Sequence, residues 1–247
     1  MRIAEIYPSL QGEGLLTGTP SIFVRASGCN LRCWFCDTPY TSWQPEGEDW
    51  SVEEIVAEVE RARRGRLPSC QEQALHGRLE TCPTHAVITG GEPMLFAELI
   101  PLCEQFSAAG WHITIETAGT LYLPVHCDLL SISPKLAGST PPPERGGRWT
   151  ERHERSRHQP EVIRRLIGQY DYQLKFVIDQ PADLGEVRAW LADFPGVRRE
   201  RVLLMPQGTE LGSLNRIARW LEPHCREHGF TFCPRKHIEW FGAVRGT

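Results

Sequence analysis

Three cysteines lie close together in one short segment of this chain and constrain it more than any other feature. They are Cys29, Cys33 and Cys36, at the spacing C-x3-C-x2-C, directly after a β-branched run. Three thiols this close indicate a compact metal centre. Because iron–sulfur clusters are normally held by four cysteines, a set of three leaves one iron with a site for an exogenous chelator. The triplet therefore predicts a [4Fe–4S] cluster that is open to a ligand.

A structural zinc ion and a set of inert thiols stay open as alternatives for the triplet. Zinc needs a fourth protein ligand, and neither Cys70, Cys82 nor Cys127 lies at ordinary zinc-finger spacing from the three. Three inert buried thiols would fit scattered cysteines better than a regular triplet with polar neighbours such as Arg32 and Asp37. Both alternatives are therefore less favoured than a cluster.

The rest of the chain alternates between β-branched runs and segments of helical period. A capping box formed by Ser51 and Glu54 predicts a helix over 52–64. Repeated strand and helix units predict an α/β fold with a parallel sheet, either open or curved into a partial barrel. Further helices are expected over 95–109, over 184–194 and after a possible N-cap at Ser213. The expected strands are 21–25, 86–89, 112–116, 128–132, 173–178 and 202–205.

A single domain over 1–247 is expected, because single α/β domains often reach this length. Two stretches interrupt the alternation of strands and helices, at about 65–85 and 139–159. The second is dense in Pro, Gly, Arg and Glu. Both are predicted to be surface insertions.

The charge balance argues against a general attraction to nucleic acid or to an anionic membrane. Lysine and arginine number 27 and aspartate and glutamate 31, which gives a formal net charge of −4. Arginine runs at 61–66 and 145–148 are interleaved with acidic residues and are expected to be solvated surface. A small-molecule ligand is therefore expected, with no nucleic-acid or membrane partner.

The N-terminal sequence and the cysteine usage favour a cytoplasmic location. The segment 1–6 has no apolar stretch of the kind found in signal peptides, and no later stretch has the apolar length of a spanning helix. The nine cysteines are an odd number, so reduced or metal-bound thiols are expected rather than a disulfide framework. Scattered structural thiols are expected at Cys70, Cys82, Cys225 and Cys233.

The triplet, with the aromatic Phe35 before its last cysteine, resembles the signature of the radical S-adenosylmethionine superfamily. The resemblance implies that Cys29, Cys33 and Cys36 bind a [4Fe–4S] cluster and that S-adenosyl-L-methionine occupies the open iron. It also implies that Phe35 contacts this cofactor. The implied fold is a partial parallel (β/α) barrel.

Polar segments follow several of the predicted strands, at the rim where parallel barrels bind ligands. Turn chemistry alone explains any one of them. The resemblance implies that the Gly-Gly-Glu-Pro element contacts the methionine part of the cofactor through Gly90, Gly91 and Glu92. It assigns Glu116 to the ribose hydroxyls. The segments implied near the ribose and adenine are Ser133, Pro134 and Lys135, and Met205, Pro206, Gln207 and Gly208.

The sequence Leu10-Gln11-Gly12-Glu13-Gly14 precedes a strand that contains Arg25, and by itself it indicates a hairpin turn. Together with the Cys36-Asp37-Thr38 sequence, it makes the chain similar to the 7-carboxy-7-deazaguanine synthase family over nearly its whole length. That family converts 6-carboxy-5,6,7,8-tetrahydropterin to 7-carboxy-7-deazaguanine by a radical ring contraction with loss of ammonia, in queuosine and deazapurine biosynthesis. The implied Mg²⁺ ligand is Thr38. The implied substrate contacts are Leu10, Gln11, Gly12, Arg25, Thr89, His237 and Thr247.

The family resemblance also implies partners. A reducing partner such as flavodoxin or ferredoxin and a homodimer are expected.

Two further functions stay open, namely a glycyl-radical-enzyme activase, which acts on a protein, and a nonenzymatic iron–sulfur electron carrier. The carrier would hold a cluster but would not cleave S-adenosylmethionine under dithionite.

Replacing Cys33 by Ala is expected to abolish turnover, as is the same change at Cys29 or Cys36, because the cluster would lose a ligand. Iron content and turnover after anaerobic reconstitution measure this effect. A Cys33→Ala protein that assembled a normal cluster and converted the pterin would contradict the ligand assignment.

Overall fold

One sheet of nine strands organises the part of the chain that the computed structural model describes, residues 1–64 and 83–246. The strands are β1 (Arg2–Leu10), β2 (Pro20–Ala26), β3 (Glu48–Asp49), β4 (His85–Gly90), β5 (His112–Thr117), β6 (Leu129–Ile132), β7 (Tyr172–Ile178), β8 (Val202–Pro206) and β9 (Thr231–Phe232). Their order in the sheet is β3-β1-β2-β4-β5-β6-β7-β8-β9. From β2 onward each pairing runs parallel, whereas β1 is antiparallel to β2 and to β3.

Helices follow most of the parallel strands. They are α1 (Pro39–Ser42), α2 (Val52–Arg64), α3 (Leu99–Ala108), α4 (Pro143–Gly146), α5 (Arg148–Ser156), α6 (Pro160–Gln169), α7 (Asp183–Ala192), α8 (Leu211–His228) and α9 (Lys236–Phe241). Short 3-10 turns lie at Pro93–Leu95, Ala137–Ser139 and Arg199–Arg201. Among the helices described, none combines the length and the apolarity needed to cross a membrane.

The two faces of the sheet differ in chemistry because successive side chains of a strand point to opposite faces. On one face Ile22, Val24 and Phe176 are fully buried and belong to the same apolar core as the inward sides of the helices. The alternate positions, which include Arg25 and Lys175, line a cavity on the opposite face. Strands in chain order with helices on one face form the predicted partial (β/α) barrel. The helix-covered face holds the fold together and leaves the inner face for polar chemistry.

Near the N-terminal ends of the parallel strands, a chain of hydrogen bonds crosses the inner face. The Ser21 hydroxyl donates to the Thr19 carbonyl at 2.8 Å, so it accepts from Nδ1 of His85, also at 2.8 Å. Nε2 of His85 then accepts from the Thr114 hydroxyl at 2.8 Å. Burial of His85, together with the nearby His112, lowers the pKa of its imidazole to about 4. The barrel interior therefore contains a neutral, fully hydrogen-bonded histidine.

The expected strands are confirmed, and so is the helix over 52–64. The backbone N of Ser51 donates to Glu54 Oε2 at 2.7 Å, and the backbone N of Glu54 donates to Ser51 Oγ at 3.2 Å. The helix expected over 95–109 begins only at Leu99, because the preceding residues form a 3-10 turn and an extended connection. The N-cap prediction at Ser213 is wrong, since α8 already begins at Leu211.

The stretch 139–159 forms α4 and α5, and the prediction that it lies on the surface is wrong for Ser139 and His153. Their exposed fractions are 1% and 0%. Both are buried because they pack beneath the cysteine segment, as described below. The other predicted insertion, 65–85, lies outside the described residues over 65–82, and so do Cys70 and Cys82.

The depressed pKa of His85 predicts a loss of stability in acid. Above pH 6.5 the imidazole is neutral in both the folded and the unfolded chain. Between pH 6.5 and about 4 only the unfolded chain takes up the proton, so the free energy of unfolding should fall by up to about 3 kcal/mol. Urea unfolding across this pH range measures the loss, and a His85→Gln variant should show a shallower dependence. Identical pH profiles for the two proteins would contradict the assignment.

Candidate active site

A cavity of about 390 Å³ opens at the C-terminal ends of the parallel strands. Its walls include the segment after β2, here called the cluster loop (residues 27–38), the strand ends and a C-terminal segment (residues 243–246). Residues predicted as site residues from distant parts of the sequence meet here. Those that line the cavity are Leu10, Gln11, Gly12, Arg25, Cys29, Cys33, Phe35, Cys36, Thr38, Thr89, Gly90, Gly91, Glu116, Ser133, Lys135, Met205, Gln207, Gly208 and His237.

Four predicted site residues do not line this cavity. Pro134 lines an adjoining cavity of about 120 Å³ with Phe35 and Lys135. Pro206 is buried at the end of β8, and Glu92 is fully buried. Thr247 lies outside the described residues.

The three thiols of the cluster loop share one wall of the cavity. Burial raises the pKa of Cys29 and of Cys33 to about 12, so without a compensating cation both would stay protonated. Sγ of Cys36 lies 3.2 Å from Ser42 Oγ, which can hydrogen-bond a thiolate. Cluster iron supplies the positive charge that buried thiolates need. The donor set therefore fits an iron–sulfur cluster.

The geometry disfavours a zinc site. Within residues 1–64 and 83–246, no three Cys, His, Asp or Glu side chains are grouped as ligands of a single metal ion. A zinc ion draws four ligands to within about 2.0–2.3 Å of one point, whereas a cluster distributes its cysteines over separate irons. The remaining described cysteines do not line the cavity; they are Cys103, Cys127, Cys225 and Cys233.

Backbone hydrogen bonds fix the start of the cluster loop at Gly28. Its N donates to the Thr41 carbonyl at 2.8 Å, and its own carbonyl accepts from the backbone N of Glu92 at 2.8 Å. A Cβ on Gly91 would lie 2.0 Å from the Gly28 carbonyl oxygen, and Gly90 has a φ of +120°. Only glycine allows this close approach. The paired glycines therefore seat the cluster loop against the end of β4.

The Glu92 carboxylate connects two parts of the structure through hydrogen bonds. Its carboxylate accepts from the backbone N of Met94 at 3.1 Å, from the Thr117 hydroxyl at 2.8 Å and from the backbone N of Ala118 at 2.8 Å. Burial raises the pKa of Glu92 despite these three donors. The side chain joins the turn after β4 to the end of β5. Three acceptor positions of this carboxylate are thus used within the protein, and its predicted cofactor contact stays a prediction.

His153 of α5 holds the cluster loop through a hydrogen bond to the loop backbone. Its Nδ1 accepts from the backbone N of Arg32, between the first two cysteines, at 3.0 Å. Its Nε2 must then carry the proton and donate to Ser139 Oγ at 2.9 Å, and that hydroxyl donates to the Leu136 carbonyl at 2.7 Å. Burial lowers the pKa of His153 to about 4, which keeps it neutral. This support was not predicted from the sequence, because 121 residues separate His153 from Arg32.

Glu116 lies with the predicted substrate residues. Its Oε2 accepts from the Thr89 hydroxyl at 2.7 Å, and its Oε1 accepts from Nε2 of Gln11 at 3.5 Å. The ammonium of Lys175 is 3.6 Å from Oε1. Its hydrogen-bond partners Thr89 and Gln11 are predicted substrate contacts, whereas Glu116 itself was predicted to contact the ribose.

Arg25 belongs to a second polar group in the cavity. Its Nε donates to Glu5 Oε1 at 2.6 Å and its Nη2 donates to the Tyr7 hydroxyl at 2.5 Å. Tyr40 also donates to Glu5 Oε1, at 2.8 Å. These bonds orient the guanidinium and leave its Nη1 without a hydrogen bond among the described residues. That side remains available to an anionic group.

The sequence did not predict a buried network around Glu13. The carboxylate accepts from Nζ of Lys175 at 2.5 Å and from Nε of Arg235 at 3.0 Å. Arg235 also donates to Asp37 and, at 2.6 Å, to the Gly208 carbonyl. Burial would raise the pKa of Glu13, but the two cations outweigh it and hold the pKa far below its usual range. Lys175, the one charged residue in the expected strand 173–178, was the available signal in the sequence.

The C-terminal part of the chain closes over the Leu10–Gly14 segment. The backbone N of Lys236 donates to the Gly12 carbonyl at 2.9 Å, and a Cβ on Gly12 would lie 2.5 Å from His237 Cβ. Arg245 donates to Glu5 Oε2 at 3.1 Å, and its guanidinium lies 4.1 Å from the centre of the Tyr40 ring. His237 lines the cavity, and its predicted contact with the substrate stays a prediction.

Comparisons with known proteins agree on one family. The family model described as "Radical SAM superfamily" matches residues 23–134. The chain is 40% identical over 245 residues to a 7-carboxy-7-deazaguanine synthase of Halobacterium salinarum, covering 96% of this chain and 88% of that protein. It is 41% identical over 246 residues to one from Rhodopirellula baltica, covering 99% of this chain and 88% of that protein.

A solved structure shows the same fold. The crystal structure of QueE from Escherichia coli superimposes with a TM-score of 0.67 at 24% identity. The match covers 96% of this chain and 94% of that one. The fold therefore has a counterpart of nearly equal length.

The contact between His153 and the cluster loop predicts an effect on cluster assembly. A His153→Phe change leaves the Arg32 backbone N without its acceptor in a buried place, which costs about 1–3 kcal/mol. Iron and sulfide per chain after anaerobic reconstitution should therefore fall, while His153→Asn, whose Oδ1 can replace Nδ1, should retain most of the cluster. Full iron content in the Phe variant would contradict this role.

Proposed function

The chain belongs to the radical S-adenosylmethionine superfamily and to its 7-carboxy-7-deazaguanine synthase family, and from that membership we propose how its cavity carries out the family's reaction. The reaction is the ring contraction of 6-carboxy-5,6,7,8-tetrahydropterin to 7-carboxy-7-deazaguanine with loss of ammonia. The observation that supports this assignment is that three thiols line the same cavity as Arg25 and Glu116. One cavity thus offers both a cluster site and groups for a polar heterocycle.

Cys29, Cys33 and Cys36 would hold the [4Fe–4S] cluster. When bound, the cluster and S-adenosyl-L-methionine supply the one-electron chemistry that starts the reaction, and the protein supplies position and environment. Gly90 and Gly91 leave their backbone open to the cavity for the methionine part of the cofactor. The nucleoside end of the cofactor has polar and aromatic groups within reach; these are Phe35, Ser133, Lys135, Met205, Gln207 and Gly208.

The substrate would lie against the polar groups of β1, β2, β4 and β5. A pterin presents ring N–H and amino donors along one edge, and the carboxylate of Glu116, held by Thr89 and Gln11, can accept from them. The free side of the Arg25 guanidinium can donate to the substrate carboxylate, as a charge-assisted hydrogen bond. The two groups together would fix the substrate in one orientation. Such fixed orientation is the main contribution that the protein makes to the rate.

A Mg²⁺ ion would bind at Thr38. The Thr38 side chain lines the cavity two residues after the last cluster cysteine, and the Thr41 hydroxyl donates to the Thr38 carbonyl at 2.9 Å, which fixes the turn. Mg²⁺ usually takes only one or two protein oxygens and completes its shell with water and substrate oxygens. The single hydroxyl of Thr38, in a cavity with room for an anionic substrate, is consistent with this coordination of Mg²⁺.

The chain's own charges would keep the cavity ordered and exclude water. Glu13 and Asp37 neutralise Arg235, and Glu116 and Glu13 neutralise Lys175, so these cations do not need bulk solvent. The C-terminal residues 243–246 line the cavity. A polar cavity of this size suits a reactive radical and a small substrate. It is less suited to the protein substrate of a glycyl-radical-enzyme activase.

The reducing partner, the homodimer and the cytoplasmic location stay predictions.

The function is tested with anaerobically reconstituted protein, S-adenosyl-L-methionine, dithionite and the carboxylated tetrahydropterin. The expected product has the mass of 7-carboxy-7-deazaguanine, and its formation should slow when a chelator removes Mg²⁺. Protein without S-adenosyl-L-methionine and the Cys33→Ala variant are the controls. Cofactor cleavage that never converts the pterin would favour the activase, and a cluster without any cleavage would favour the electron carrier.

The position of Glu116 predicts a substrate defect rather than a cofactor defect. In a Glu116→Gln variant, loss of a charge-assisted acceptor should raise the KM for the pterin by roughly tenfold or more and leave the KM for S-adenosyl-L-methionine nearly unchanged. The exposed Glu104 of α3 provides a matched control as Glu104→Gln. If the KM for the cofactor rose instead, the ribose assignment would be the correct one.

A further inference from the structure

An exposed group of arginine and tryptophan side chains lies beside the cluster loop. We call it the arginine–tryptophan surface and define it as Arg32, Trp34, Trp43, Arg145, Arg148, Trp149 and Arg152. Apart from Arg32 it consists of partly or fully exposed residues. None of it takes part in the chemistry of the cavity described above.

Direct contacts between aromatic rings and guanidinium groups join several of these residues in two sets. The Trp149 ring lies 3.9 Å from the guanidinium of Arg32 and 4.6 Å from that of Arg152, measured to the ring centre. The guanidinium of Arg145 lies 5.2 Å from the centre of the Trp43 ring. Aromatic rings hold these side chains in place at low entropic cost.

The positive charge of this surface is not neutralised by the described part of the chain. Within residues 1–64 and 83–246, Arg32, Arg145, Arg148 and Arg152 have no carboxylate within 4.0 Å, in contrast to Arg157 nearby, which pairs with two glutamates. Two guanidinium groups share the Trp149 ring although like charges repel. Such an arrangement favours an anionic partner.

Helix α5 places three arginines on one side. Arg148, Arg152 and the exposed Arg155 follow at i, i+4 and i+7 and therefore share that side. Glu154 falls on another side and is bound to Arg157 and Thr140, whereas the exposed Glu151 borders the basic side. The exposed Glu144 of α4 is the remaining acidic residue in this stretch. The basic side of α5 thus continues the surface.

This surface is also the outer side of the cluster site. Nη1 of Arg145 donates to the Trp34 carbonyl at 3.0 Å, and Nε1 of Trp43 donates to the carbonyl of the cluster ligand Cys33 at 3.0 Å. Arg32 lies in the chain between the first two ligands and donates to the Cys29 carbonyl at 2.7 Å. A partner seated here would be separated from the cluster only by the thickness of the loop.

We propose that the arginine–tryptophan surface docks an acidic protein electron carrier, which passes one electron to the cluster. The carrier is oxidised by one electron and the cluster is reduced by one, and no further group changes. The proposal rests on the proposed function, because that reaction consumes a reduced cluster. Arginine and tryptophan are the side chains enriched at the energetic centres of protein interfaces, and charge complementarity speeds the encounter of short-lived redox partners.

The test measures reduction of the cluster in the reconstituted holoenzyme by reduced flavodoxin, an acidic carrier, in stopped flow without pterin. An Arg148→Glu/Arg152→Glu double variant is compared with Arg216→Glu/Arg219→Glu on α8, which reverses two exposed arginines elsewhere. Reduced methyl viologen, a small cation that needs no docking surface, is the second donor. Iron content and viologen-driven reduction show whether each variant holds an intact cluster.

The expected result is a fall of about tenfold or more in the second-order rate with flavodoxin for the α5 variant at low salt, since electrostatic steering raises association rates by at least that factor. Its rate with methyl viologen and both rates of the α8 variant should stay within about twofold of the parent. The parent's flavodoxin rate should fall steeply with salt, and that of the α5 variant should not. Because no pterin is present, failure of the proposed function does not affect this readout.

Two results would overturn the proposal. One is an equal flavodoxin rate in the parent and in the α5 variant. The second is binding of a single-stranded RNA oligonucleotide that the α5 substitutions abolish while the flavodoxin rate stays unchanged, since arginine and aromatic side chains also bind nucleic acid. In that case the surface would belong to a nucleic-acid partner.

Discussion

The cluster loop has to present three thiols to one cavity although it belongs to neither a strand nor a helix, and hydrogen bonds to its backbone meet this requirement. Gly28 is fixed between Thr41 and the backbone N of Glu92 at the start of the loop. Further along, the backbone N of Arg32 is held by His153. Loops without such bonds fluctuate, and a cluster with three ligands tolerates little displacement of any one of them. The positions of β4, β5 and α5 therefore all contribute to the metal site.

The second requirement is that the cavity stays polar without becoming unstable. Burying an isolated charge is costly, and a buried ion pair is tolerated only when its remaining hydrogen bonds are satisfied. Glu13 meets this condition by accepting from both Lys175 and Arg235, while Arg235 is completed by Asp37 and the Gly208 carbonyl. The network joins the N-terminal loop, β7 and the C-terminal region. The substrate would thus meet charged groups whose orientations are already set before it binds.

The stretch 139–159 connects the inside of the site with its outside. On its inner side His153 and Ser139 carry the cluster loop, and on its outer side Arg148 and Arg152 extend an uncompensated positive surface. The same short helix would therefore place the cluster and receive the carrier that reduces it. The composition of this segment, dense in Pro, Gly, Arg and Glu, does not indicate either role. The burial of His153 depends on the cluster loop that packs against it, which is distant in the sequence.

Local chemistry was sufficient for the sequence alone to determine the cysteine triplet, the parallel strands and the helix over 52–64 with its capping box, because these features depend on neighbours in the chain or on the period of apolar residues. Most of the residues that line the cavity were instead implied by the family resemblance. Tertiary structure alone decided that Glu92 is a buried brace, that Glu116 lies with Gln11 and Thr89, and that Glu13 pairs with Lys175, 162 residues away. The physical reason is that a polar side chain takes its role from the donors and charges around it. Those partners come from distant strands and become neighbours only when the barrel forms.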